Sequence, residues 1–147
     1  MSNENSLGRC ISLIYKYGLI YYARQLKEYN IGRGQSMFLI ALYREDGLSQ
    51  EEIARYVKMD KGTTAKALKK LEENGYIIRK TDEKDKRAYK VYLTEQAQNV
   101  KSVVYKTMEG WTEILSSNFS EEEKEKALVL LEKMWNNVTT YVDDNLE

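Results

Sequence analysis

Between Leu48 and Thr94 the hydrophobic period of the chain changes from three-to-four residues to two, and the change is complete within 47 residues. Two short helical patterns, two strand-like patterns and a charged turn follow one another there. Helices and hairpins this short cannot bury an apolar face alone, so the stretch has to fold as one packed module.

Ser49 followed by Glu52 has the spacing of a capping box, and predicts a short helix to about Tyr56 with Ile53, Ala54 and Val57 turned inward. Asp60 is the next cap candidate. It opens a helix from Lys61 to about Asn74 that Gly75 ends as the left-handed residue beyond it. With Leu68 at the centre of the buried face, steps of about 100° per residue put Lys61, Thr64, Ala65 and Leu71 inward. Thr63, Lys66 and Lys70 then point outward, flanked by Gly62 and Lys69. Tyr76–Lys80 and Ala88–Leu93 are rich in aromatic and β-branched residues and predict an antiparallel hairpin closed by the turn 81–87.

Around this module the spacing is helical. Apolar residues from Leu7 to Tyr29 fall on one broad face, with Asn5 or Ser6 as the cap. After the break at Gly32-Arg33-Gly34, the apolar run from Gln35 to Arg44 reads as a buried helix. Thr94 opens a helical region to about Ser117 with a stripe of Ala97, Val100, Val104, Met108, Trp111 and Leu115. Ser120 with Glu123 is a second capping box, and its helix carries Ala127, Leu128, Leu131, Met134, Trp135, Val138, Tyr141, Val142 and Leu146. The first helix and the last two carry more apolar face than the central module can cover, and burying it is worth roughly 1.5 to 3 kcal/mol per large side chain. A homodimer built from the terminal helices is the economical solution. The expected class is therefore mainly α, within α+β, and one compact domain in total. Residues 1–32 and 95–147 form a helical dimerisation region, and residues 33–94 form the module that meets a partner.

The chain of 147 residues has no net charge, yet its charge is segregated. From Lys58 to Lys90 there are eleven Lys/Arg against six Asp/Glu, a net +5, and the remainder is −5. A basic face on a neutral protein is the footprint expected of a partner rich in phosphate. One cysteine and no histidine exclude an intrachain disulfide and an ordinary Cys/His zinc site from one subunit, and suit a reducing cytoplasmic setting. With no Gly-rich phosphate loop and no nucleophile beside a base, neither an enzyme nor a cofactor is expected. No apolar run approaches a membrane span, and the N-terminal MSNENSLGRC lacks the order of an export signal.

A helix lodged in the major groove of duplex DNA needs small residues and donors facing the bases, with cations beside them for phosphate. Gly62, Thr63 and Lys66 have that composition, with Lys61 and Lys70 as flanking cations. In the turn, Lys84, Lys86 and Arg87 suit the negative potential of a minor groove. Asp85, two residues before Arg87, is placed to hold its guanidinium.

The segment from Leu48-Ser49-Gln50 to Leu93-Thr94 resembles the winged helix-turn-helix of the MarR family of bacterial transcriptional regulators. The resemblance rests on Gly75-Tyr76-Ile77-Ile78-Arg79, Asp82, Asp85, Arg87, Val91, Leu93 and Thr94. It implies a DNA-binding regulator, commonly a repressor, whose dimer intertwines first and last helices and reads a pseudo-palindromic operator. The family's recognition positions carry over to Gly62, Thr63, Ala65 and Lys66, where Ala65 and Lys66 depart from its frequent Thr and Arg. The wing's Asp-x-Arg carries over to Asp85 and Arg87, and Ser49, Arg79 and Asp82 stand as phosphate or wing support. Many members release DNA on binding a small aromatic effector, for which Tyr15, Tyr17, Tyr21 and Tyr22 are the candidate lining; the plainer role of these tyrosines is interface packing. One branch senses hydroperoxide through a cysteine near the start of the first helix, where this chain has Cys10; the plainer role is a small packed thiol. A winged helix used only for protein contact is the remaining alternative.

Overall fold

The computed structural model describes residues 6–145, and side chains as far as residue 142. Its contacts divide into two compact units, Met1–Trp111 and Thr112–Glu147.

In the first unit, the Ser6 hydroxyl accepts from the Arg9 N–H and starts helix α1, Leu7–Gln25. Asn5 lies outside the described residues. The helix stops short of the expected Tyr29: Leu26 is its C-cap, and a 3-10 turn, Lys27–Tyr29, leads to Asn30 in the left-handed region at φ 55. Burial explains the early stop, because the turn brings both Leu26 and Ile31 into the core. The Tyr29 carbonyl accepts from the Tyr76 hydroxyl, which ties the turn to the hairpin.

Helix α2, Ser36–Arg44, buries Phe38, Leu39, Ala41 and Leu42, as its apolar run requires. Next comes a strand that its sequence does not announce: β1, Leu48–Ser49, pairs with Val91 and Lys90. Helix α3, Gln50–Val57, starts from a complete capping box, Ser49 N–H to Glu52 Oε2 at 2.7 Å and Glu52 N–H to Ser49 Oγ at 3.1 Å. Helix α4, Lys61–Glu73, starts at Asp60 and is followed by Gly75 at φ +82. Strands β2, Ile77–Thr81, and β3, Tyr89–Leu93, pair from Ile77↔Leu93 to Thr81↔Tyr89. The hairpin is therefore two strands of a three-stranded antiparallel sheet, ordered β1-β3-β2.

The helical region after Thr94 is interrupted. Helix α5, Glu95–Asn99, ends at Val100, and α6 runs over Lys101–Leu115. The Tyr43 hydroxyl donates to the Ala97 carbonyl at 2.5 Å. That is the acceptor a continuous helix would offer to the Lys101 N–H, so a side chain from α2 competes with the ladder at the break. Burial pushes the Tyr43 phenol up to about 12, with Tyr76 and Tyr105 adding to it. Further along, α1 and α6 meet through glycine. A Cβ on Gly18 would lie 3.2 Å from the Trp111 ring, and one on Gly110 would lie 2.5 Å from the Tyr21 hydroxyl.

The core joins Leu26, Phe38, Leu42, Ile53, Leu68, Leu71, Tyr76, Ile77, Val91 and Val104. Each fully buried large side chain contributes roughly 1.5 to 3 kcal/mol.

In the second unit, Ser120 and Glu123 form their capping box at 2.8 and 3.2 Å. They start α7, Glu121–Asn145. None of its described side chains is buried. Leu128, Leu131, Trp135, Val138 and Tyr141 are 68, 53, 50, 55 and 62% exposed. Leu146 lies outside the described residues.

Candidate nucleic-acid interface

Short connections bring α3, α4 and the hairpin together. Lys58 caps the end of α3 in the left-handed region, φ 57, and two residues later Asp60 opens α4. An L side chain pays for that conformation, which is why glycine or asparagine is the usual occupant.

The Asp60 carboxylate holds the first turn of α4. Its Oδ1 accepts from the Thr63 N–H at 2.8 Å and its Oδ2 from the Thr63 hydroxyl at 2.7 Å. These bonds, backbone first, hold the Asp60 carboxyl below the usual carboxylate range. Gly62 belongs to the same arrangement, since a Cβ there would come within 3.3 Å of Asp60 Oδ1.

Thr64, Leu68 and Leu71 form the buried face of α4, with Ala65 half-buried. Gly62, Thr63, Lys66, Lys69 and Lys70 are exposed. Lys61 is exposed too, not inward as the helical wheel places it, because the first turn projects beyond the core. Lys70 is paired with Glu73 at 3.1 Å, an exposed pair of small energetic weight.

The turn between β2 and β3 is braced by its two aspartates. Asp82 Oδ1 accepts from the Lys84 N–H at 2.9 Å, and Asp85 Oδ1 from the Arg87 N–H at 3.0 Å. Asp82 and Ala88 close the base through Asp82 N–H to Ala88 O at 2.9 Å. The expected grip of Asp85 on the Arg87 guanidinium is replaced by this backbone bond. A carboxylate on one carbon reaches an N–H two residues on more readily than the end of a long side chain. Among the described residues, no ion pair engages Lys84, Lys86 or Arg87.

Arg79 is committed inward. Its Nε lies 3.3 Å from Glu72 Oε2, out of hydrogen-bond alignment, and its Nη1 donates to Gln50 Oε1 at 3.2 Å. It fastens β2 to α4 and α3. Ser49 is likewise taken up by its capping box.

A cleft of about 350 Å³ opens between α1, the start of α2 and α4. Tyr15, Leu19, Phe38 and Met59 supply apolar lining, and Arg33, Thr63, Lys66 and Lys70 supply polar groups. Of the four tyrosines proposed for a ligand, Tyr15 alone is among its lining residues. Tyr21 packs on Trp111, ring centroids 5.3 Å apart, and edge-on to Tyr22 at 5.8 Å. Tyr17 is 61% exposed. Cys10 is a free thiol, exposed in the single chain.

Sequence reasoning passed over Lys58 and Arg33. The signals were a lysine between two capped helices and an arginine between two glycines.

A family model described as MarR family matches residues 29–88. The uncharacterised HTH-type transcriptional regulator YybA of Bacillus subtilis (strain 168) is 35% identical over 114 residues, which are 78% of this chain and 76% of that protein. The crystal structure of a MarR transcriptional regulator from Methanosarcina mazei Go1 is similar at TM-score 0.85 and 43% identity, over 91% of this chain and 96% of that one. The S. aureus MepR–DNA complex is similar at TM-score 0.80 and 26% identity, over 93% and 99% of the two chains.

Proposed function

The chain belongs to the MarR family of winged helix-turn-helix transcriptional regulators, and from that membership we propose that it acts as a cytoplasmic homodimer that represses by holding a pseudo-palindromic operator. It is a DNA-binding regulator and not an enzyme. In each half-site α4 lies in the major groove and the wing in the neighbouring minor groove.

The wing carries this reading. Its tip is closed by Asp82 and Asp85 onto backbone N–H groups, so Lys84, Lys86 and Arg87 stand forward of a fixed turn. The exposed apolar residues of α1, such as Leu7, Ile11 and Ile14, and those of α7 support a second copy as their cover. The apolar and cationic lining of the cleft supports a small aromatic anion as the effector that releases DNA.

One titration tests all three parts. The full chain is titrated on duplexes from its own promoter region across a salt series, with and without benzoate-class anions. Dimer-stoichiometric binding that weakens steeply with salt and with the anion is expected. Arg87→Ala is expected to weaken operator binding by about 1 to 3 kcal/mol while the protein stays folded. Absence of duplex binding at low salt would sink the proposal.

A further inference from the structure

We propose that Asp60 is a positioning residue for base recognition. It fixes the hydrogen-bond polarity of Thr63, so that this threonine meets DNA as an acceptor and not as a donor. The inference rests on the reading above that α4 enters the major groove.

A threonine hydroxyl has one proton and two lone pairs, and in solution it rotates to suit either kind of partner. In this chain the rotation is lost. Thr63 Oγ1 lies 2.7 Å from Asp60 Oδ2, and an ionised carboxylate only accepts, so the proton of that bond belongs to Thr63. The same carboxylate takes the Thr63 N–H at 2.8 Å, so Asp60 cannot turn away without uncapping the helix. The lowered pKa of the Asp60 carboxyl has the same origin and keeps the carboxylate charged at neutral pH. Gly62 leaves the clasp uncrowded, because a Cβ there would press on Asp60 Oδ1 at 3.3 Å.

What remains outward on the exposed Thr63 is a pair of lone pairs and a methyl group. Phosphate oxygens only accept, so a Thr63 held in this way has nothing to offer the DNA backbone. In the major groove the donors are the amino groups of adenine and cytosine, whereas guanine and thymine present carbonyl oxygens at the corresponding place. Thr63 in the Asp60 clasp therefore selects adenine or cytosine on the strand it touches.

Asparagine at position 60 reverses the polarity. Its Oδ1 still accepts the Thr63 N–H, and asparagine caps as well as aspartate. Its Nδ2, however, donates to Thr63 Oγ1, and the hydroxyl proton is freed to point at a base. Asp60→Asn thus turns Thr63 into a donor and favours guanine or thymine at the same position.

The test is selection of bound duplexes from a random pool by the full chain, using wild type, Asp60→Asn, Thr63→Val and the double variant at one salt concentration. Wild type is expected to enrich adenine or cytosine at one position in each half-site. Asp60→Asn is expected to move that position toward guanine or thymine by roughly threefold to tenfold in relative affinity, the range of one hydrogen bond. Thr63→Val is expected to flatten it, and the double variant to match Thr63→Val. Loss of the carboxylate also tightens binding to every duplex, and that effect cancels in the ratio of bases. The inference is overturned if Asp60→Asn keeps the wild-type preference, or shifts a position that Thr63→Val leaves alone. If wild type enriches no sequence, the reading of α4 as the recognition helix falls first, and this one falls with it.

Discussion

Thr64 lies fully buried on the inner face of α4, and its hydroxyl has no hydrogen-bond partner among the described residues. A buried, unpaired hydroxyl costs about 1 to 3 kcal/mol. Thr64→Val keeps the branched shape and removes the oxygen, and is expected to raise stability by about 1 kcal/mol. A higher urea midpoint at unchanged m-value would show this; a lower midpoint would mean that the hydroxyl is bonded in solution. At this scale the sequence was informative about types and less so about partners. Asp60 was recognisable as a cap from its place before a helical run, yet its second bond, to the Thr63 hydroxyl, depends on a rotamer that spacing does not specify. Lys61 was misplaced because a helical wheel treats every turn as equally embraced by neighbours, and the first turn of α4 is not. Arg87 is exposed on the turn between β2 and β3, but the aspartate expected to hold its guanidinium grips the backbone instead.

At the scale of elements, both capping boxes were legible because a Ser and a Glu three residues apart make a local device whose partners are sequence neighbours. Acid should reveal the first of them. The Ser49 backbone N–H, and secondly its hydroxyl, hold the Glu52 carboxyl below its ordinary value of 4.5. A group with a depressed folded-state pKa stabilises fully above its unfolded value and loses that stabilisation as pH falls through the folded one. Stability should therefore decline as pH drops below about 4.5, and Glu52→Gln should flatten part of that decline. Urea midpoints at a series of pH values would check it, and identical slopes for the two proteins would exclude the effect. Elements missed by sequence reasoning depend on distant residues. Strand β1 has two residues and hence no period, and exists through its pairing with Val91 and Lys90. The break between α5 and α6 follows from Tyr43, 54 positions before the carbonyl it engages.

For the whole molecule, zero net charge conceals the division between a module of +5 and a remainder of −5, so attraction to phosphate is confined to one region of the chain. The same division of labour gives the last prediction. Leu131 of α7 is 53% exposed, and if a second copy covers it, Leu131→Asp should yield a monomer whose winged module still folds. Sedimentation would report the mass and circular dichroism the fold; a Leu131→Asp protein that remains dimeric would remove α7 from the interface. The cleft beside α4 has a longer reach. Thr63, Lys66 and Lys70 line it and are also an exposed row of α4, the helix proposed to meet DNA. Any molecule filling that space touches the side chains to which we assign base preference. If the cleft holds the proposed effector, a lineage that drifts to a new operator by altering these three positions alters its effector site in the same step, and the signal it answers and the site it guards are inherited as one trait.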